Sequence, residues 1–169
     1  RDSSLDETDS FRIMIDGFKD RQNGLVFGTN PAGIEYDAQI TKEGAGLFGS
    51  GGGGFNLNWD TTWTVQARIT DIGWSAEFAI PFKSLRYGSA EAQTGGINFH
   101  GNIRRNNETA FWAPLSRQYN LQRISAAGSL ENLRLPAQRN LKFTPYGLAK
   151  MTDGGDLGRD NDYEVGFDI

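Results

Sequence analysis

Hydrophobic and polar residues alternate most regularly between Asn58 and Arg86. Trp63, Val65, Ala67 and Ile69 fall on one face, and Thr64, Gln66, Arg68 and Thr70 on the other. Trp74, Ala76, Phe78 and Ile80 repeat the pattern against Ser75, Glu77 and Ala79. Period-two alternation predicts two half-buried strands. The short link Asp71-Ile72-Gly73 supplies the glycine of a tight turn. Pro81 ends the second strand because it has no N–H to give a ladder. The same reading predicts strands over 11–16, 25–28, 34–40 and 97–104. In the last, Ile97, Phe99, Gly101 and Ile103 oppose Asn98, His100, Asn102 and Arg104. Residues 82–87 suit a short helical turn, and 109–115 and 122–127 read as irregular or short strands. Segments 141–150 and 163–169 suit an antiparallel hairpin. No helical period and no internal repeat is present. Strands about every 10 residues, separated by glycine-rich turns, predict an all-β fold, an antiparallel β-sandwich.

The run Gly73-Trp74-Ser75-Ala76-Glu77-Phe78-Ala79-Ile80-Pro81-Phe82, followed by Ser84-Leu85-Arg86, resembles the central hairpin of family 9 carbohydrate-binding modules, "GW-x-x-E-x-x-IPF-x-x-L". Trp74, Glu77 and Pro81 carry that motif. Further segments are similar, in order, to bacterial outer-membrane proteins that place such a sandwich before a large β-barrel. These are 16–37 (DGFKDRQNGLVFGTNPAGIEYD), Arg104-Arg105 with Glu108, Thr109 and Trp112, then Gly128-Ser129-Leu130 and Thr144-Pro145-Tyr146. The resemblance covers nearly the whole chain. It implies a carbohydrate-binding-module-like sandwich over 1–140, with its first strands upstream of Arg1. It also implies connecting strands over 141–169 that begin a barrel continuing beyond Ile169 in the same polypeptide. The implied location is the bacterial outer membrane, on its periplasmic or cell-surface side. On this reading the chain is a mature or partial one, so its lack of a signal peptide does not argue against export.

Length and charge narrow the classes. The 169 residues suffice for one domain with a buried core, or one domain and a tail. Seventeen basic against 21 acidic residues give −4, without the basic footprint of a nucleic-acid partner. The absence of cysteine excludes a disulfide framework and a thiolate metal site. Seven glycines between Gly44 and Gly54 suit a flexible surface loop. They are not a phosphate cradle, which needs a following Lys-Ser/Thr and a helix.

Candidate chemistry is sparse. His100 is the single histidine, with no G-x-S-x-G elbow and no second histidine for zinc. It is expected to be a structural or surface histidine. Glu77 is the carboxylate to consider for glycoside hydrolysis, which needs a facing pair; pairing with Arg68 or Arg104 is the favoured alternative. Asp16, Asp20 and Asp37 offer hard oxygen ligands, against turn formation and an ion pair with Arg21. The resembled family is known for bound calcium, so calcium is the ion such a site would take, although the reading requires no cofactor. Asp153, Asp156, Asp160 and Asp162 form a second acidic group, which a short Gly/Asp loop between strands explains. A sugar needs aromatic platforms edged by amides and guanidinium groups. Trp63 and Trp74 are in register with aliphatic residues and read as core. Trp59, and Trp112 beside Arg104, Arg105, Asn107 and Glu108, are the candidate glycan contacts, with Tyr36, Tyr119 and Phe111 behind them.

The leading expectation is therefore a non-catalytic carbohydrate-binding-like module holding a glycan or polysaccharide at the cell envelope. The alternative is a domain that caps or braces an outer-membrane β-barrel, or docks a partner, without binding sugar. The third is an activity of the glycoside hydrolase type.

Overall fold

A computed structural model describes residues 4–45, 54–137, 144–153 and 159–168; among these, eleven strands, all paired antiparallel, and four short 3-10 turns make up the regular structure. The glycine-rich run at 46–53 and Asp156 lie outside the described residues, as do 141–143 and Ile169 at the ends of the expected C-terminal hairpin. The chain divides into two compact units, Arg1–Pro136 and Ala137–Ile169.

The first unit is built on β1 (Ser10–Asp16), β2 (Gly24–Thr29), β3 (Tyr36–Ile40), β4 (Phe55–Asn56), β5 (Thr64–Thr70), β6 (Gly73–Ala79), β7 (Gln93–Ile103), β8 (Glu108–Phe111) and β9 (Gly128–Leu133). Seven of these form one sheet in the order β4-β3-β2-β1-β7-β8, with β9 also paired to β7. Strands β5 and β6 make a separate hairpin.

That hairpin has the expected alternation. Asp71 and Ile72 form its turn, and Thr70 pairs with Gly73. Gly73 has φ 156°, a backbone conformation side chains rarely allow. Trp63 is buried, and Ile69 is exposed near the tip. Pro81 leads into a 3-10 turn over Phe82–Ser84. Glu77 is exposed and directly opposite Gln66 rather than Arg68.

The hairpin covers one face of the sheet. Trp63, with Val65, Phe78 and Ile80, packs on Leu25 and Phe27. The Trp63 ring stacks on Phe78 at 5.7 Å and meets Phe27 edge-on at 5.2 Å. The other sheet face is covered by segments outside the sheet. Leu5, Leu121 and Ile124 are buried there against Met14, Val26, Tyr36, Ala38 and Ile40.

Several boundaries differ from the sequence expectation. Strand β7 begins at Gln93, four residues before the alternation becomes visible, because Gly95 and Gly96 carry no side chains to mark it. Strand β9 falls on Gly128–Leu133, beyond the expected segment 122–127. It is exposed over most of its length and so lacks a hydrophobic face.

The second unit is a hairpin of β10 (Thr144–Asp153) and β11 (Arg159–Asp168). Pro145 pairs with Phe167, Gly147 with Val165, and Ala149 with Tyr163. These residues share one face. Tyr163, Val165 and Phe167 on it are exposed, Val165 to 86%. No helix among the described residues is long and apolar enough to cross a membrane.

Candidate functional site

One rung of the main sheet crosses five strands: Tyr36 on β3, Gly28 on β2, Arg12 on β1, His100 on β7 and Phe111 on β8. Directly opposed residues share a face, so these side chains lie side by side over roughly 19 Å at the usual strand spacing. Gly28 leaves the gap that Arg12 and Tyr36 close. A Cβ there would stand 3.0 Å from Arg12 Cγ, 3.2 Å from Tyr36 Cδ1 and 2.9 Å from Leu5 Cδ1. The Arg12 guanidinium lies over the Tyr36 ring, 5.3 Å from its centroid. Its Nη2 donates to Asp6 Oδ1 at 2.6 Å. The His100 ring stacks on Phe111 at 5.0 Å.

The rung floors a groove of about 830 Å³. Segment 4–6 and the loop 115–122 wall it, bringing Arg117, Tyr119, Asn120 and Gln122 to its rim. Tyr119 is partly exposed and is held from behind by Arg123, 4.8 Å from its centroid, which pairs with Glu43 at 2.8 Å. The groove thus joins an aromatic rim, amides and two guanidinium groups.

The electrostatics follow from the packing. His100 is 8% exposed. Burial, then the neighbouring Arg12 charge, push it down to about 4 against the pull of Asp6. It is neutral at pH 7. The hydrogen bond from Arg12 holds the Asp6 carboxyl below its usual value. His100 Nδ1 and Arg12 Nε are buried without hydrogen-bond partners. A general base held by a carboxylate at Nδ1, as a catalytic triad requires, is not built here.

The candidate glycan residues are not gathered into one site. Arg104, Arg105 and Asn107 occupy the tight turn between β7 and β8, and Glu108 opens β8; all four are exposed. The Arg104 backbone N–H donates to Asp9, and its guanidinium to Glu7 at 3.2 Å. Trp112 lies level with Phe99, roughly 13 Å along the strand from that turn. It is 59% exposed, edge-on to Phe99 at 5.8 Å, with its ring over the bare backbone of Gly128. Trp59 is half-buried and packs edge-on to Phe27 at 6.2 Å.

The three aspartates make backbone contacts at separate places in the fold. Asp16 is buried and accepts the backbone N–H groups of Asp20 (3.3 Å) and Arg21 (2.9 Å). Asp20 accepts from Gln22 and Asn23. Asp37 is buried on β3 and accepts the Thr61 N–H at 3.0 Å. Each visible bond serves a turn or a loop, and among the described residues no group of three acidic or histidine side chains is placed to share an ion.

Sequence reasoning missed Arg12, and it placed Tyr36, Tyr119 and Phe111 only behind the tryptophans as aromatic candidates. Arg12 and His100 stand on faces that look polar, and only the tertiary fold shows that those faces are roofed. One signal was present: Met14 shares the face of Arg12 and is completely buried.

No family model matches this chain, and no curated protein or solved structure matches it either.

Proposed function

We propose that the first unit is a non-catalytic, carbohydrate-binding-like β-sandwich module of a bacterial outer-membrane protein, holding glycans at the cell envelope. The observation that carries this reading is the groove over the Tyr36–Arg12–His100–Phe111 rung. A sugar presents C–H faces and hydroxyl edges. Tyr119 offers a face; Asn120, Gln122, Asn102 and Arg117 offer edges. The hairpin β5–β6, laid over the opposite sheet face, is the second layer of the sandwich.

The second unit supports the envelope location. Its strands are 10 residues long, the span of a tilted transmembrane strand. One face runs Pro145, Gly147, Ala149, Tyr163, Val165 and Phe167. A two-stranded hairpin is marginal in water alone. Lipid on that face and further strands at its edges, as in a barrel, supply what it lacks.

The test is calorimetric titration of the full chain with soluble hexasaccharides, with and without calcium. Saturable binding that Tyr119→Ala weakens about tenfold, independent of calcium, supports the proposal. No heat with any glycan, from folded protein, favours the role of a barrel cap or brace.

A further inference from the structure

Three of the four tryptophans have ring partners: Trp59 and Trp63 on Phe27, and Trp112 on Phe99. Trp74 has none among the described residues. It is half-buried and lines a cleft of about 500 Å³ between the hairpin and the sheet, together with Phe11, Gly101 and Ile103.

Gly101 is the unusual member. It sits inside β7, where glycine weakens a strand and often marks close approach of a ligand or another backbone. The earlier glycines of β7 have a packing reason. A Cβ at Gly95 would stand 3.3 Å from the Asp16 carbonyl oxygen, and one at Gly96 would stand 3.1 Å from Asp16 Cβ. At Gly101 a Cβ would meet nothing within 4 Å. The protein therefore leaves bare backbone beneath an open space flanked by an indole without a ring partner. The floor is firm, since Phe11 stacks on Phe99 at 5.8 Å and meets Phe78 at 6.3 Å.

The rim of the cleft is polar. Asp9 lines it, together with Ser10, Ser75 and Asn102, which by register project to the opposite strand faces from Phe11, Trp74 and Gly101. No cation lines it. A flat ring with apolar faces and hydroxyl edges fits this surround; a phosphorylated or carboxylated ring meets Asp9 with no compensating charge.

We infer that the cleft is a stacking subsite for one pyranose ring of a neutral glycan, with Trp74 as the platform and Gly101 as the clearance. Within the glycan-binding reading, it is a second point of contact, separate from the Arg12–His100 groove. Asn102 lines both cavities.

The test uses the full chain, with tryptophan emission and calorimetry as readouts. The probes are cellohexaose, maltohexaose and chitohexaose, with adenosine as an aromatic control. At least one hexasaccharide is expected to shift the emission saturably. Gly101→Val fills the cleft with a residue that strands favour, so it is expected to weaken binding at least tenfold with no loss of melting temperature. Trp74→Ala is expected to abolish the emission change and weaken binding similarly, which keeps the test decisive if the valine variant fails to fold. Binding that Tyr119→Ala weakens but Gly101→Val and Trp74→Ala leave intact overturns the subsite while sparing the groove. Absence of binding to every hexasaccharide overturns both. Adenosine binding that Gly101→Val abolishes, with no hexasaccharide bound, overturns the pyranose assignment.

Discussion

Arg12 and Tyr36 meet across an intervening strand: the guanidinium stands 5.3 Å from the ring centroid, over the backbone of Gly28. The contact exists because the residue between them has no side chain. It fixes one end of the groove floor, and the ion pair from Arg12 to Asp6 ties the N-terminal segment down over it.

Gly28→Val is expected to force Arg12, Tyr36 and Leu5 apart. Overpacking of this kind costs about 1–3 kcal/mol, read as a lowered urea midpoint. Glycan binding in the groove should fall with it.

Trp63 and Trp112 should respond differently to truncation. Trp63 is buried between Phe27 and Phe78, so Trp63→Ala is expected to cost about 3–5 kcal/mol. Trp112 is mostly exposed, edge-on to Phe99 and over the backbone of Gly128, so Trp112→Ala is expected to cost about 1 kcal/mol or less. Paired denaturation curves decide it.

Acid should weaken the fold through His100. Its folded value of about 4 lies below the unfolded value of 6.5. Between these the unfolded chain binds more protons, so stability is full above about pH 6.5 and falls as pH drops towards 4. A shift of this size corresponds to about 3 kcal/mol. Asp6 adds a loss in the same direction at lower pH, because Arg12 holds its carboxyl below 3.8. His100→Gln removes the first loss. Stability measured from pH 4 to 7 should then be flatter than for the wild type.

The strand pair β5–β6 was readable because its two faces meet different surroundings, core on one side and water on the other. Its alternation marks Trp63, Val65 and Phe78 as inward. Strand β9 was not readable, since Glu131 and Asn132 sit on a strand with little apolar content. The groove was hidden for a different reason. Arg12 and His100 look solvated by pattern, and the groove over them is lined by segment 4–6 and the loop 115–122, which lie outside the sheet. The glycan candidates Trp112 and Arg104 to Glu108 are close in sequence, but the β7–β8 hairpin carries them to different levels.

Asp16 should act as a turn anchor. Asp16→Ala leaves the N–H groups of Asp20 and Arg21 without their acceptor, at a cost of about 1–3 kcal/mol. Chelator should leave the melting temperature unchanged in wild type and variant alike. A chelator-dependent loss would favour the metal reading.

The most direct measurement is an amide chemical-shift titration of the isotopically labelled full chain with the hexasaccharides. Saturable shifts concentrated at Tyr119, Asn120, Asn102 and the Arg12–His100 rung are the predicted result. Absence of shifts with every glycan, or shifts confined to the Arg104–Glu108 turn and Trp112, would contradict the groove as the binding site.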